Sequence, residues 1–118
     1  MGVKKHVLIV SSDSTFASVL ERHLGPDFDV HAAASDLAAF ALLDSYVYVC
    51  LVVDLSARSV AGSATVSSLR LNALTIPIVA LIATGLESVL PEHAVAIVND
   101  ADPVPRLAAA VRSAVKTS

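Results

Sequence analysis

The sequence predicts an α/β domain: one five-stranded parallel sheet in doubly wound (βα)5 order, filling residues 1–118. Three observations carry that expectation. Five apolar runs have strand character, and three of them are nearly continuous Val/Ile/Leu without alternation. Such strands need cover on both faces, as in the centre of a parallel sheet. Segments of helical period separate the runs, and this alternation implies helices on both faces with right-handed crossovers. Finally, 118 residues that are 55% hydrophobic and 16% charged suffice for one core and leave little room for a second domain.

The first run is HVLIV (6–10), ending in SSDST. Phe16, Val19, Leu20 and Leu24 then share one helical face, which Gly25-Pro26 terminates. The second run, DVHAA (29–33), is more polar and suits an edge. Ser35 is placed to cap the helix DLAAFALLD, whose turns are marked by Leu37, Phe40 and Ala41, with Leu43 or Asp44 next. The third run, YVCLVV (48–53), leads into DLSARSVAG. After Gly62, SATVSSLRL predicts a third helix weakened by its serines and by β-branched Thr65 and Val66. The fourth run is PIVALI (77–82), and Pro91 limits the helix in LESVLPEH to a short piece. The fifth is AVAIV (94–98). The last helix has Asp102 at its N-cap and Pro103 at its first position, with Leu107, Ala108, Val111 and Val115 on one stripe.

Composition excludes several functions. A net charge of −3 argues against nucleic acid as a direct partner, since phosphate contact needs a basic face. Lys4-Lys5 is too short for a targeting run, and no basic head with an apolar signal segment opens the sequence. The apolar stretch Leu71–Leu86 is broken by Asn72, Pro77 and Gly85, so no membrane span is expected. Cys50, the single cysteine, reads as a buried small hydrophobe in a reducing compartment, and a cytoplasmic location follows. His6, His23, His31 and His93 show no ligand spacing, so no metal site is expected from them. SSDST contains no glycine, which removes a phosphate-binding loop, and no histidine sits with a nucleophile motif at a strand end.

Ligands and reactive groups in such sheets gather at the carboxyl ends of the strands. Those ends carry Ser11, Ser12 and Asp13; then Asp54; then Ile82-Ala83-Thr84; then Asn99-Asp100. Each also has a structural use. Asp13 or Ser14 is a candidate helix cap, and Asp54 is suited to accept hydrogen bonds from neighbouring loops.

With Asp54 closing the third strand, Gly62 eight residues later, and the DPVPRL start of the last helix, the whole chain resembles the receiver domains of two-component response regulators, the chemotaxis-regulator-like fold. The resemblance implies a flavodoxin-like architecture, here with a shortened fourth helix. It also implies that Asp54 matches the phosphoacceptor. The family holds Mg²⁺ with an acidic pair after strand one, and contacts the phosphoryl oxygens with a Ser/Thr after strand four and a lysine after strand five. Here Ser11 and Ser12 occupy the acidic-pair positions, and Asn99 the lysine position. Counting from Pro77 puts Ile82 at the switch hydroxyl, whereas counting from Asp54 favours Thr84; both stay candidates. Ala57-Arg58 replaces the family's Met-Pro, and Arg58 is a candidate partner for Asp54.

A phosphoryl group in transfer spreads negative charge over its oxygens and needs cations beside it. Neutral serines and an amide do not supply them. The expectation is therefore a degenerate pseudo-receiver: not an enzyme, without catalytic residues, metal or cofactor, signalling through protein contacts and not through conventional Mg²⁺-dependent phosphorylation. One alternative is an atypical phosphoacceptor that uses Asp54 and recruits Asp13 or Asp100 for metal. Another is a small-molecule-binding domain with a pocket lined by Ser11, Ser12, Asp54, Thr84 and Asn99. The partners expected are proteins of a signalling pathway, a fused C-terminal effector domain or a second copy of the chain, and neither nucleic acid nor membrane. Arg106, Arg112 and Lys116 give the last helix a modest basic edge.

Overall fold

A computed structural model of the chain describes residues 4–56, 59–71, 76–82, 94–98 and 102–117. Five parallel strands form one sheet: β1 (His6–Val10), β2 (Asp29–Ala33), β3 (Tyr48–Leu55), β4 (Ile78–Ile82) and β5 (Val95–Val98). The order is β2-β1-β3-β4-β5. The winding direction reverses between β1 and β3, so the crevice outside their carboxyl ends is where this topology places a site. The helices described are α1 (Ser14–Leu24), α2 (Asp36–Ser45), α3 (Ser63–Leu71) and α4 (Val104–Thr117). The doubly wound fold expected from sequence is the fold observed. β3 runs two residues further than its apolar run, through Asp54. The short helix expected in residues 86–93 lies outside the described residues.

Alternation along the strands divides the core in two. Val7, Ile9, Cys50, Val52 and Leu81 pack against Phe16 and Leu20 of α1 and Leu107 and Val111 of α4. Leu8, Val10, Leu51, Val53 and Ile82 pack on the other face, against Ala39 of α2 and Val66 and Leu69 of α3. The strand residues named here are fully buried, which is why their sequences show no polar alternation. Each such Leu, Ile or Val stabilises the fold by about 1.5–3 kcal/mol. Cys50 belongs to this core, and burial pushes its thiol up to about 12.

Local chemistry sets the helix ends. The Asp13 carboxyl accepts from the amides of Thr15 and Phe16 at the start of α1, and Ser35 Oγ accepts from the Ala38 amide at the start of α2. The Leu107 amide donates to the Pro103 carbonyl, so α4 starts one residue later than expected, with Pro103 in the cap position. The face of α2 also differs from expectation. Leu37 is 79% exposed, while Ala39 is buried and Leu42 and Leu43 pack on the core. With DLAAFALLDS apolar almost all round, its sequence carries no clear phase.

Gly62 is required at the turn into α3. Its φ is +123°, and an added Cβ would lie 2.8 Å from Val53 Cγ1 and 3.2 Å from the Asp54 carbonyl oxygen. Asp36 fixes the same turn from α2: one carboxyl oxygen accepts from the Gly62 amide at 2.9 Å, the Thr65 amide at 3.0 Å and the Thr65 hydroxyl at 2.6 Å. Arg112 does not belong to a free basic edge. It donates to Asp27 Oδ2 and to the His23 carbonyl, both at 2.7 Å, and so ties α4 to the end of α1.

Candidate functional site

The carboxyl ends of β1 and β3 bring the predicted residues together through strand register. Val10 is paired with Val53, so Ser11 and Asp54 follow as neighbours one step further along. Asp54 is fully buried and Ser11 is 3% exposed. Ser11 Oγ donates to Asp54 Oδ2 at 2.8 Å and accepts from the Asp13 amide at 3.1 Å. The other carboxyl oxygen, Oδ1, accepts from the Ser56 amide at 3.0 Å and the Ser56 hydroxyl at 2.5 Å. Both oxygens of Asp54 are therefore engaged by neutral donors from this chain. Ser56 stood outside the sequence-based candidates; the signal available was its position two residues after Asp54, where an Asx-type turn returns an amide to the carboxyl.

Ser12 does not reach Asp54 in this network. Its amide donates to Ser59 Oγ at 2.9 Å, and its own hydroxyl accepts from the Val60 amide at 2.9 Å. Ser59 Oγ donates in turn to the Ala61 carbonyl at 3.0 Å. Ser11 and Ser12 thus divide the work: Ser11 closes over the acidic side chain, and Ser12 stitches the β1–α1 loop to the β3–α3 loop. Asp13 spends its Oδ1 on the α1 cap.

β4 presents no hydroxyl at Ile82. That side chain is fully buried in the α2–α3 half of the core, and its register partner is Leu55, not Asp54. Arg58, Thr84, Asn99 and Asp100 lie outside the described residues. Mg²⁺ prefers octahedral oxygen coordination, usually from one or two carboxylates with waters completing the shell. Of the described carboxyls here, Asp54 accepts hydrogen bonds from serine and amide donors at both oxygens, and Asp13 caps α1 through Oδ1.

The amino end of the sheet holds a cluster that sequence spacing did not reveal. His6 is paired with Asp29, and Leu8 with His31, so β1–β2 pairing gathers two histidines and a carboxyl on one face. His31 Nδ1 lies 2.7 Å from the Tyr48 hydroxyl. Tyr48 is pushed up to about 12 by burial first, then by Tyr46 and Asp29. A cavity of about 490 Å³ opens beside this cluster under α2 and α3, lined by Phe40, Leu43, Tyr46, Tyr48 and Leu69 among others. No helix among the described residues is long and apolar enough to cross a membrane.

No family model matches the sequence, and no curated protein does. Solved structures do match the fold. The receiver domain of the Francisella response regulator 1452 superposes with a TM-score of 0.78 at 16% identity, over 96% of this chain and 98% of that one. Chemotaxis response regulator CheY4 of Vibrio cholerae gives 0.73 at 18% identity, over 96% and 99%. The N-terminal domain of a three-domain response regulator/sensory box/GGDEF protein from Carboxydothermus hydrogenoformans gives 0.74 at 17%, over 96% and 95%. The fold is that of CheY-like receiver domains.

Proposed function

We propose that this chain is a receiver-like signalling module that works through protein–protein contacts, with Asp54 as a structural acid in place of a phosphoacceptor. The observation that carries the reading is the hydrogen bond from Ser11 to the buried Asp54. An attacking carboxylate must be free to approach phosphorus, with cationic groups around it as charge develops on the transferring oxygens. Asp54 instead accepts hydrogen bonds at both oxygens, from Ser11 and Ser56, and the Ser11 hydroxyl supplies no charge. Phosphorylation would require breaking these bonds and burying a dianionic group among neutral donors, which is unfavourable without paired cations.

The partner in this reading is another protein of a signalling pathway, and a fused effector domain is one form it takes in a fold neighbour such as the three-domain protein above. A Mg²⁺ titration tests the proposal. Thermal stability and amide chemical shifts of residues around Ser11 and Asp54 are expected to stay unchanged through millimolar Mg²⁺. Saturable shifts confined to those residues would support the alternative, an atypical phosphoacceptor with a metal site.

A further inference from the structure

We infer that His6, Asp29 and His31 form a binding site for a divalent transition-metal ion of the Zn²⁺ type at the amino end of the sheet. One ligand atom from each residue lies within 4.8 Å of the others. Two ligands held at about 2.0–2.1 Å from a tetrahedral ion stand about 3.3 Å apart. His6 Nδ1 and Asp29 Oδ2 are 3.2 Å apart.

That contact is close, yet it makes no hydrogen bond: His6 Nδ1 is shut away from solvent without a hydrogen-bond partner. A buried polar nitrogen left in this state costs free energy, and a metal ion on its lone pair would recover it. The ligand set, two imidazoles and one carboxyl, suits Zn²⁺ and neighbouring first-row ions better than Mg²⁺ or Ca²⁺. Three protein ligands leave one coordination position for water or a further ligand.

The surroundings would orient the ligands. The Tyr48 hydroxyl lies 2.7 Å from His31 Nδ1; with that nitrogen donating to the hydroxyl, as metal-bound imidazoles donate to outer-shell groups, Nε2 is left to ligate. The rings of His31 and Tyr46 meet edge to face, with centroids 4.6 Å apart, and those of His6 and His31 lie 5.1 Å apart. Asp29 is exposed, so an ion has a path from solvent. The cluster stands on paired strands and not on a loop, which fixes the spacing of its ligands.

The test uses the full chain, with Zn²⁺ alone followed by calorimetry and Co²⁺ alone followed by visible absorption. One ion per chain is expected, with the Co²⁺ spectrum of a four-coordinate nitrogen and oxygen site. Asp29→Asn and His31→Gln are each expected to weaken Zn²⁺ binding about ten-fold or more, while His23→Ala, on the surface of α1, leaves it unchanged. Circular dichroism of each variant without metal establishes that it folds, and the two independent ligand variants guard against one that does not. No uptake by the wild-type chain, or uptake that both ligand variants retain in full, overturns the assignment.

Discussion

At the carboxyl end of the sheet, Asp54 is fully buried and each of its oxygens accepts hydrogen bonds from donors of the same chain. At the amino end, Asp29 is exposed, and the histidine nitrogen beside it is buried without a hydrogen bond. The expectation from fold topology is the reverse, with an available site at the carboxyl end and structural packing at the amino end. Position in a fold says where a site is convenient. Whether polar atoms are already satisfied says whether one remains available.

The largest expected effect comes from reopening the closed end. Ser11→Asp sets a second carboxyl against buried Asp54, and an uncompensated buried charge costs about 3–5 kcal/mol; urea denaturation without metal measures it. Adding Ser12→Asp and Asn99→Lys to that variant rebuilds the pattern of the receiver family. This triple variant is expected to bind Mg²⁺ and to regain part of the lost stability on doing so. Metal affinity that stays at the wild-type level would show that these positions are not the family's equivalents.

Removing each acid in turn measures the contrast between the ends. Asp54→Ala removes the carboxyl that accepts from a buried amide and two hydroxyls. A loss of about 2 kcal/mol is expected. Asp29→Ala removes an exposed partner and is expected to change stability by less than about 1 kcal/mol without metal. Equal losses at the two positions would erase the distinction drawn between them.

A further effect is confined to high pH. Tyr48 is raised from its ordinary value of 10.0 to about 12. Between those values the unfolded chain has released the proton and the folded chain has kept it. The Tyr48 contribution is then full below pH 10 and falls as pH rises toward 12, adding to the loss from Cys50, whose thiol is raised from 9.0 to about 12. Denaturation midpoints compared below and within that window, alongside tyrosinate absorbance, check the sign. A flat profile across the window would mean that the Tyr48 hydroxyl is not buried as described.

Much of this was readable in the sequence. The continuous runs at 6–10, 48–53 and 77–82 have one physical explanation, burial on both faces, and the strands fall there. Ser11, Ser12 and Asp54 were legible as a group because strand ends concentrate polar side chains, and Gly62 through its spacing from Asp54. What was not legible depends on contacts between distant segments. Asp36 caps a turn that begins 26 residues later, and Ser12 finds Ser59 across 47 residues. His6 and His31 meet only through β1–β2 register, so no local spacing announces them. The phase of α2 was obscured by its own composition, since Leu37 and Ala39 are both apolar and only packing separates them.

Whether Asp54 is a structural acid or a phosphoacceptor is decided chemically. The chain is incubated with a small acyl phosphate and Mg²⁺, and its intact mass is then recorded under conditions that preserve an aspartyl phosphate. No mass gain is expected from the wild-type chain, whose Asp54 oxygens are taken by Ser11 and Ser56. Stoichiometric addition of one phosphoryl group, absent from Asp54→Ala, would contradict the account.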